Sequence, residues 1–159
     1  MNNPTSHHLA IHLRQVFFGG NWCTTNLRDT LSDVKWDEAT KEILGPNTIA
    51  VLTSHMTYYV TEVKKVLQGQ PLLAKDDLSF SHGPIKSNHT WEVMQDRAYQ
   101  HAADFADLIA QIPDDTLWEN FTDEKYGNYY RNISGIIEHL HYHLGQIVLL
   151  KKLNRQEAK

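Results

Sequence analysis

The chain has 159 residues, 41% of them apolar, and a formal net charge of −4 with ten histidines and one cysteine. That length suits one domain able to bury a full core without disulfides, and the composition excludes a disordered chain. Lysines and arginines never run beyond two, so the clustered positive charge of a nucleic-acid surface is missing, and no stretch approaches the roughly 18 uninterrupted apolar residues of a membrane span.

The start, Met1 to Ser6, is polar and uncharged, without the basic and apolar regions of a secretory leader. With Cys23 unable to pair internally, a cytoplasmic protein is expected. The spacing then predicts a first helix from about Ser6 to Leu31, with Leu13, Phe17, Gly20, Thr24, Leu27 and Leu31 inward. Gly19-Gly20 falls in its middle and predicts a bend or a close helix contact.

A second helix is expected from about Asn47, capped by Asn47 after Gly45-Pro46, to Leu67, ended by Gly69 and Pro71. Its stripe is Ile49, Leu52, Met56, Tyr59, Val63 and Val66. Residues 70–87 form a long connection, which lets the second and third helices run parallel. The third helix is predicted over Asn88 to Ile112, stopped by Pro113, with Trp91, Met94, Ala98, Ala102, Phe105, Ile109 and Ile112 inward. Residues 113–128 form a second connection with a short turn near Leu117-Trp118. The fourth helix runs from about Tyr129 to Leu153 on a stripe of Ile133, Ile137, Leu140, Leu144 and Ile147. No alternating strand pattern or internal repeat occurs, so the expected fold is all-α, a single four-helix-bundle domain over residues 1–159.

The histidines carry the chemistry. His139 and His143 are four residues apart, about 40° on a helix, and border the inward stripe in one direction. His141 lies about 200° from His143 and cannot share a metal with the pair. His55 sits on the inward side of the second helix, between Leu52 and Tyr59. Three imidazoles from two rigid helices would leave coordination positions open, as in catalytic zinc sites, and the donors suit zinc, nickel, copper or iron(II). The ordinary alternatives are a satisfied core histidine for His55 and a chance pair at the other two positions. His8 and His12 share the same spacing and are read as surface residues without a third partner. His101 is read as packed or half-exposed, and Cys23 as a small buried residue.

Gly135 to Ile147 resembles the last-helix signature of the DinB-like superfamily, also called the YfiT-like metal-dependent hydrolases. The matching positions are His139, His143, Gly145, Gln146 and Ile147, and Leu52-Thr53-Ser54-His55 resembles the family's second-helix histidine segment. Gly19-Gly20-Asn21-Trp22 and Lys125 to Tyr130 resemble one of its subgroups, from which no activity is carried over. The resemblance implies an up-down-down-up four-helix bundle, one nickel or zinc ion on His55, His139 and His143, and a homodimer. It implies an enzyme acting on a small molecule, either a thiol S-transferase using a low-molecular-weight thiol or a hydrolase. The attacking group would be water or a thiolate held by the ion, and no catalytic side chain is assigned. Candidate pocket residues are Trp22, Tyr58, Tyr59, Glu62, Tyr129 and Tyr130. The competing expectation is a non-catalytic metal-binding or stress-related helical bundle.

Overall fold

A computed structural model describes residues 4–157; Met1 to Asn3, part of the polar start, lie outside the described residues. The chain is all-helical. Its elements are α1 (Thr5–Phe18), α2 (Leu27–Leu31), α3 (Trp36–Ala39), α4 (Ile49–Leu67), α5 (Asp76–Ser79), α6 (Asn88–Ala110) and α7 (Tyr129–Glu157). Two 3-10 turns, Asp114–Trp118 and Glu124–Tyr126, lie between α6 and α7. The first of them holds the turn expected at Leu117-Trp118. Among the described residues no helix is long and apolar enough to cross a membrane.

The first predicted helix is corrected. It stops at Phe18, and the chain to Leu31 is a loop followed by the short α2. Gly19 takes φ 101° and ψ 171°, a conformation open essentially to glycine alone, and Gly20 follows at φ 92°. Two such residues in succession end a right-handed helix instead of bending it. Asn21 holds the loop, its side-chain amide donating to the carbonyls of Gln15 and Thr25. Asn26 then caps α2 by accepting from Asp29 N at 2.9 Å. Cys23 rides on this loop and is exposed, contrary to the buried position expected for it within a helix.

The helix ends elsewhere follow local chemistry. Thr48, one residue past the expected Asn47, caps α4 by accepting from Val51 N at 3.1 Å. Ser87 and Thr90 form a reciprocal capping box on α6. The N-terminus of α1 has no cap of its own. The Asp114 carboxylate, 109 positions away from Thr5, accepts from Thr5 N and Ser6 N, and these bonds hold its pKa below the usual carboxylate range. α7 runs to Glu157, past the expected Leu153.

α1 packs on α6 and α7, and α4 on the same two helices. Between them lies one apolar core that includes Leu13, Phe17, Met56, Phe105, Leu140 and Ile147. Trp91 is 1% exposed, and its indole N–H donates to Val34 O at 2.9 Å, tying the loop before α3 to α6. The inward stripes expected for α4, α6 and α7 are the buried ones, with Tyr59, Met94 and Ile112 partly covered at the edges. Ion pairs close the far end: Arg155 bonds Asp33 and Glu38, and Lys151 bonds Asp33 and the carbonyl of Thr30.

Candidate metal centre

α4 and α7 bring His55, His139 and His143 together. One ligand nitrogen from each lies within 4.8 Å of the other two. The ring centroids stand 4.9 Å apart for His55–His139, 4.6 Å for His55–His143 and 4.4 Å for His139–His143. His55 and His143 are buried, at 3% and 7% exposure, and His139 is half-buried.

The hydrogen bonds fix which nitrogens are free. His55 Nδ1 lies 2.8 Å from Ser79 Oγ, and Ser79 directs its single hydroxyl proton to the carbonyl of Asp76 at 2.5 Å. Ser79 must therefore accept from His55, so Nδ1 carries the proton and Nε2 carries the lone pair. His143 Nδ1 lies 2.7 Å from Gln146 Oε1, while the amide nitrogen of Gln146 donates to the Tyr142 hydroxyl. His143 is held in the same tautomer. His139 Nε2 is buried and has no hydrogen-bond partner among the described residues. Native structures keep such orphans rare, because each costs about 1–3 kcal/mol of desolvation.

Burial favours the neutral rings. His55 and His139 are each pushed down to about 4 by desolvation first and then by neighbouring imidazoles, with Asp76 opposing. His143 is lowered by burial, partly offset by Gln146. All three rings are thus unprotonated lone-pair donors at neutral pH, the state a metal requires. The donor set fits a divalent transition-metal ion: three neutral imidazoles in convergence, two with their outer nitrogens anchored and one with a nitrogen that nothing in the protein satisfies.

The residues around the rings come from the connection after α4. Phe80 stacks on His55 at 4.1 Å between centroids and 21° between planes. Tyr59 packs edge-on against both His55 and His139 and donates its hydroxyl to Asp76 Oδ1 at 2.7 Å. Burial, then this bond to a carboxylate, pushes the Tyr59 phenol up to about 12. Ser79, Phe80 and Asp76 were invisible in the sequence as site residues. They belong to a polar connection with no periodicity and reach His55 only through tertiary folding.

A cavity of about 550 Å³ opens beside His139. Tyr59, Glu62, Asp76 and His139 are among its polar lining residues, and Val63, Leu72, Phe121 and Ile136 supply apolar surface. Glu62, another expected pocket residue, is 8% exposed and ion-paired with Lys65 at 2.5 Å. Tyr58 lies outside this cavity, its ring against Tyr59 and its hydroxyl accepting from Lys75 N at 2.7 Å. Tyr129 packs on Phe121, and Tyr130 stacks on the exposed Trp118, so both stand behind or beside the wall. Trp22 is 96% exposed on the loop after α1 and does not line the cavity. It sits on the loop opened by Gly19-Gly20, with almost nothing packed over it.

The other histidines lie apart. His141 pairs with His12 of α1 at 5.5 Å between centroids and bonds the carbonyl of Ile137 through Nδ1. His101 accepts from the buried Lys64 ammonium at 2.9 Å, beside Asp104. Comparison of the chain with models of known protein families, with curated proteins and with solved structures gives no match.

Proposed function

We propose that the chain is a metal-dependent enzyme of the DinB-like kind, in which His55, His139 and His143 hold one divalent ion, nickel or zinc. Its reaction is transfer of a low-molecular-weight thiol or hydrolysis, on a small molecule lodged in the cavity beside His139. The observation that carries this reading is the orphaned His139 Nε2, buried among two other imidazoles whose lone pairs are free. An ion held there would supply Lewis acidity and lower the pKa of a bound water or thiol.

The chain's own residues do the rest. Ser79 and Gln146 fix the outer nitrogens of two ligands, which sets ring orientation and raises ligand basicity. Tyr59 stays protonated at neutral pH and holds Asp76 away from the rings' lone pairs through its O–H bond. Phe80 covers one face of His55 and keeps that ring from turning to solvent. Val63, Leu72, Phe121 and Ile136 give the substrate a largely apolar bed, which strengthens electrostatic contacts made within it.

The architectural part of the reading is the up-down-down-up four-helix bundle of α1, α4, α6 and α7. It draws support from pairings that advance in the same sense along α4 and α6. Lys64 meets His101 and Asp104, and nearer the helix starts Ser54 and Tyr58 share a cavity with Met94 and Arg97. A homodimer and a cytoplasmic location follow from the resemblance and the sequence, and sedimentation velocity tests the first.

Metal analysis of untagged purified protein tests the core of the proposal. One nickel or zinc per chain is expected, lost in the His139→Ala, His143→Ala double variant. Loaded protein is then assayed with thiol donors against electrophiles and with a panel of esters. Failure to hold a stoichiometric ion after reconstitution overturns the metal centre. A loaded protein inert on every substrate overturns the enzyme and leaves a non-catalytic metal-binding helical protein.

A further inference from the structure

The cavity beside His139 has a charge arrangement that the three-histidine centre does not use. It extends along α7 from His139 past Gly135 to Asn132 and Arg131. Eight residues separate Arg131 from His139, about 12 Å along a helix. Gly135, one turn from each, leaves the floor between them without a side chain. Opposite lie Tyr59, Glu62 and Val63 of α4, so the space is a trough between two helices with the histidines at one end.

Arg131 is the one cationic side chain in the wall of this trough. Its guanidinium makes no hydrogen bond or ion pair with any described residue, while its backbone N–H donates to the Asn128 side chain. The two carboxylates of the trough are already engaged: Glu62 with Lys65, and Asp76 with the Tyr59 hydroxyl. Asp76 acts electrostatically on His55 and His139, which places its negative charge at the histidine end. In the metal-free protein the trough therefore carries the Asp76 charge beside the rings and the Arg131 charge two turns away. The aliphatic stem of Arg131 lies against Gly127, whose φ of 73° favours glycine.

We propose that this trough binds an elongated acid: a carboxylate on Arg131, an apolar body against Val63, Leu72, Phe121 and Ile136, and the reacting group presented to His139. A planar guanidinium with all five donors free matches a carboxylate in the bidentate fork. In the metal-free protein used for the test, Asp76 disfavours the reverse orientation, so Arg131 sets direction there as well as affinity. The volume, about 550 Å³, is in the range of small-molecule sites. The assignment of the reacting end rests on the metal-centre reading; the carboxylate end does not.

Titration of metal-free protein in chelator with phenylbutyrate and with phenylbutanol, followed by calorimetry and amide NMR, separates the two. The acid is expected to bind about tenfold more tightly than the alcohol, with shifts at Phe121 and Ile136. In Arg131→Gln the acid should fall to the affinity of the alcohol, while Arg131→Lys keeps part of the preference and the alcohol is unchanged throughout. Arg131 is exposed, so these variants leave the core intact. Equal affinity of acid and alcohol, no acid binding in the millimolar range, shifts away from the trough, or a preference that survives Arg131→Gln would each overturn the proposal. Because no metal is present in the titration, loss of the metal centre in the elemental analysis cannot produce any of these results.

Discussion

Ser79→Ala removes the acceptor that keeps the His55 proton on Nδ1. Ser79 is fully buried, 2.8 Å from that nitrogen. Without it the N–H is left unsatisfied, at about 1–3 kcal/mol, or the proton moves to Nε2 and occupies the lone pair the ion would use. Loss of an outer hydrogen bond of this kind weakens metal binding about 10–100-fold, or ~1.4–2.7 kcal/mol. At zinc held near 100 times the wild-type Kd, wild type gains about 2.7 kcal/mol from the ion, while the variant gains only ~0.4–1.4 kcal/mol. For a domain of this size each kcal/mol moves Tm by roughly 2–4 °C, so the zinc-induced rise should shrink by several degrees. Competition with a chelator of known affinity gives Kd, and melts in zinc and in chelator give the increment. An unchanged zinc Kd refutes the coupling. A lower Tm in chelator with the same zinc increment reduces Ser79 to a packing residue.

Acid should weaken the metal-free protein well before its carboxylates titrate. The unfolded imidazoles take protons near pH 6.5 and those of His55 and His139 near 4, so the unfolded state binds more protons between these values and stability falls as pH drops through the window. The loss by pH 5 is about 1–2 kcal/mol per ring, and a urea midpoint in chelator that is the same at pH 7 and pH 5 would contradict it. Gly19→Ala puts a Cβ in a glycine-only conformation, 3.1 Å from Asn26 Nδ2, and should cost ~1–3 kcal/mol; a thermal melt within a degree of wild type would show that the loop relaxes freely. His139→Leu should abolish metal binding yet melt in chelator no lower than wild type, since it removes an orphaned polar atom; a drop of many degrees would mean that Nε2 has a partner in solution.

Helical content was legible wherever burial and spacing agreed. On α7, Ile133, Ile137, Leu140, Leu144 and Ile147 are all buried, and His139 and His143 sit beside them as the 3.6-residue repeat requires. α1 misled because its apolar spacing continues past Gly20 into Leu27 and Leu31, which are buried but on a separate short helix. Gly20 and Thr24, expected inward on that stripe, are exposed, because apolar spacing does not show whether the backbone between two buried residues is continuous. Helix geometry put His139 and His143 on one seam and His55 on an inward face, the resemblance implied that they meet, and neither pointed to the groups that orient them. Ser79 lies 24 positions from His55, on a four-residue helix too short to carry a pattern. Arg131 was likewise unremarkable in sequence, because its place in the wall of the cavity that reaches His139 is set by tertiary folding.

The chain carries a local cost at the site that nothing in its packing explains. A leucine at 139 would continue the apolar border of α7 and remove a desolvated nitrogen, and a leucine at 55 would extend the stripe through Leu52 and Met56. Instead three neutral rings crowd together, two of them tethered by Ser79 and Gln146 in the tautomer that leaves their inner nitrogens bare. Core histidines kept for structure would be expected to satisfy those nitrogens. Here the tethers act on the opposite atoms and preserve the vacancy in the hydrogen-bond network, which is stabilising only when something electron-deficient completes it. An ion held there, as proposed, would complete that network, and its removal should then lower stability.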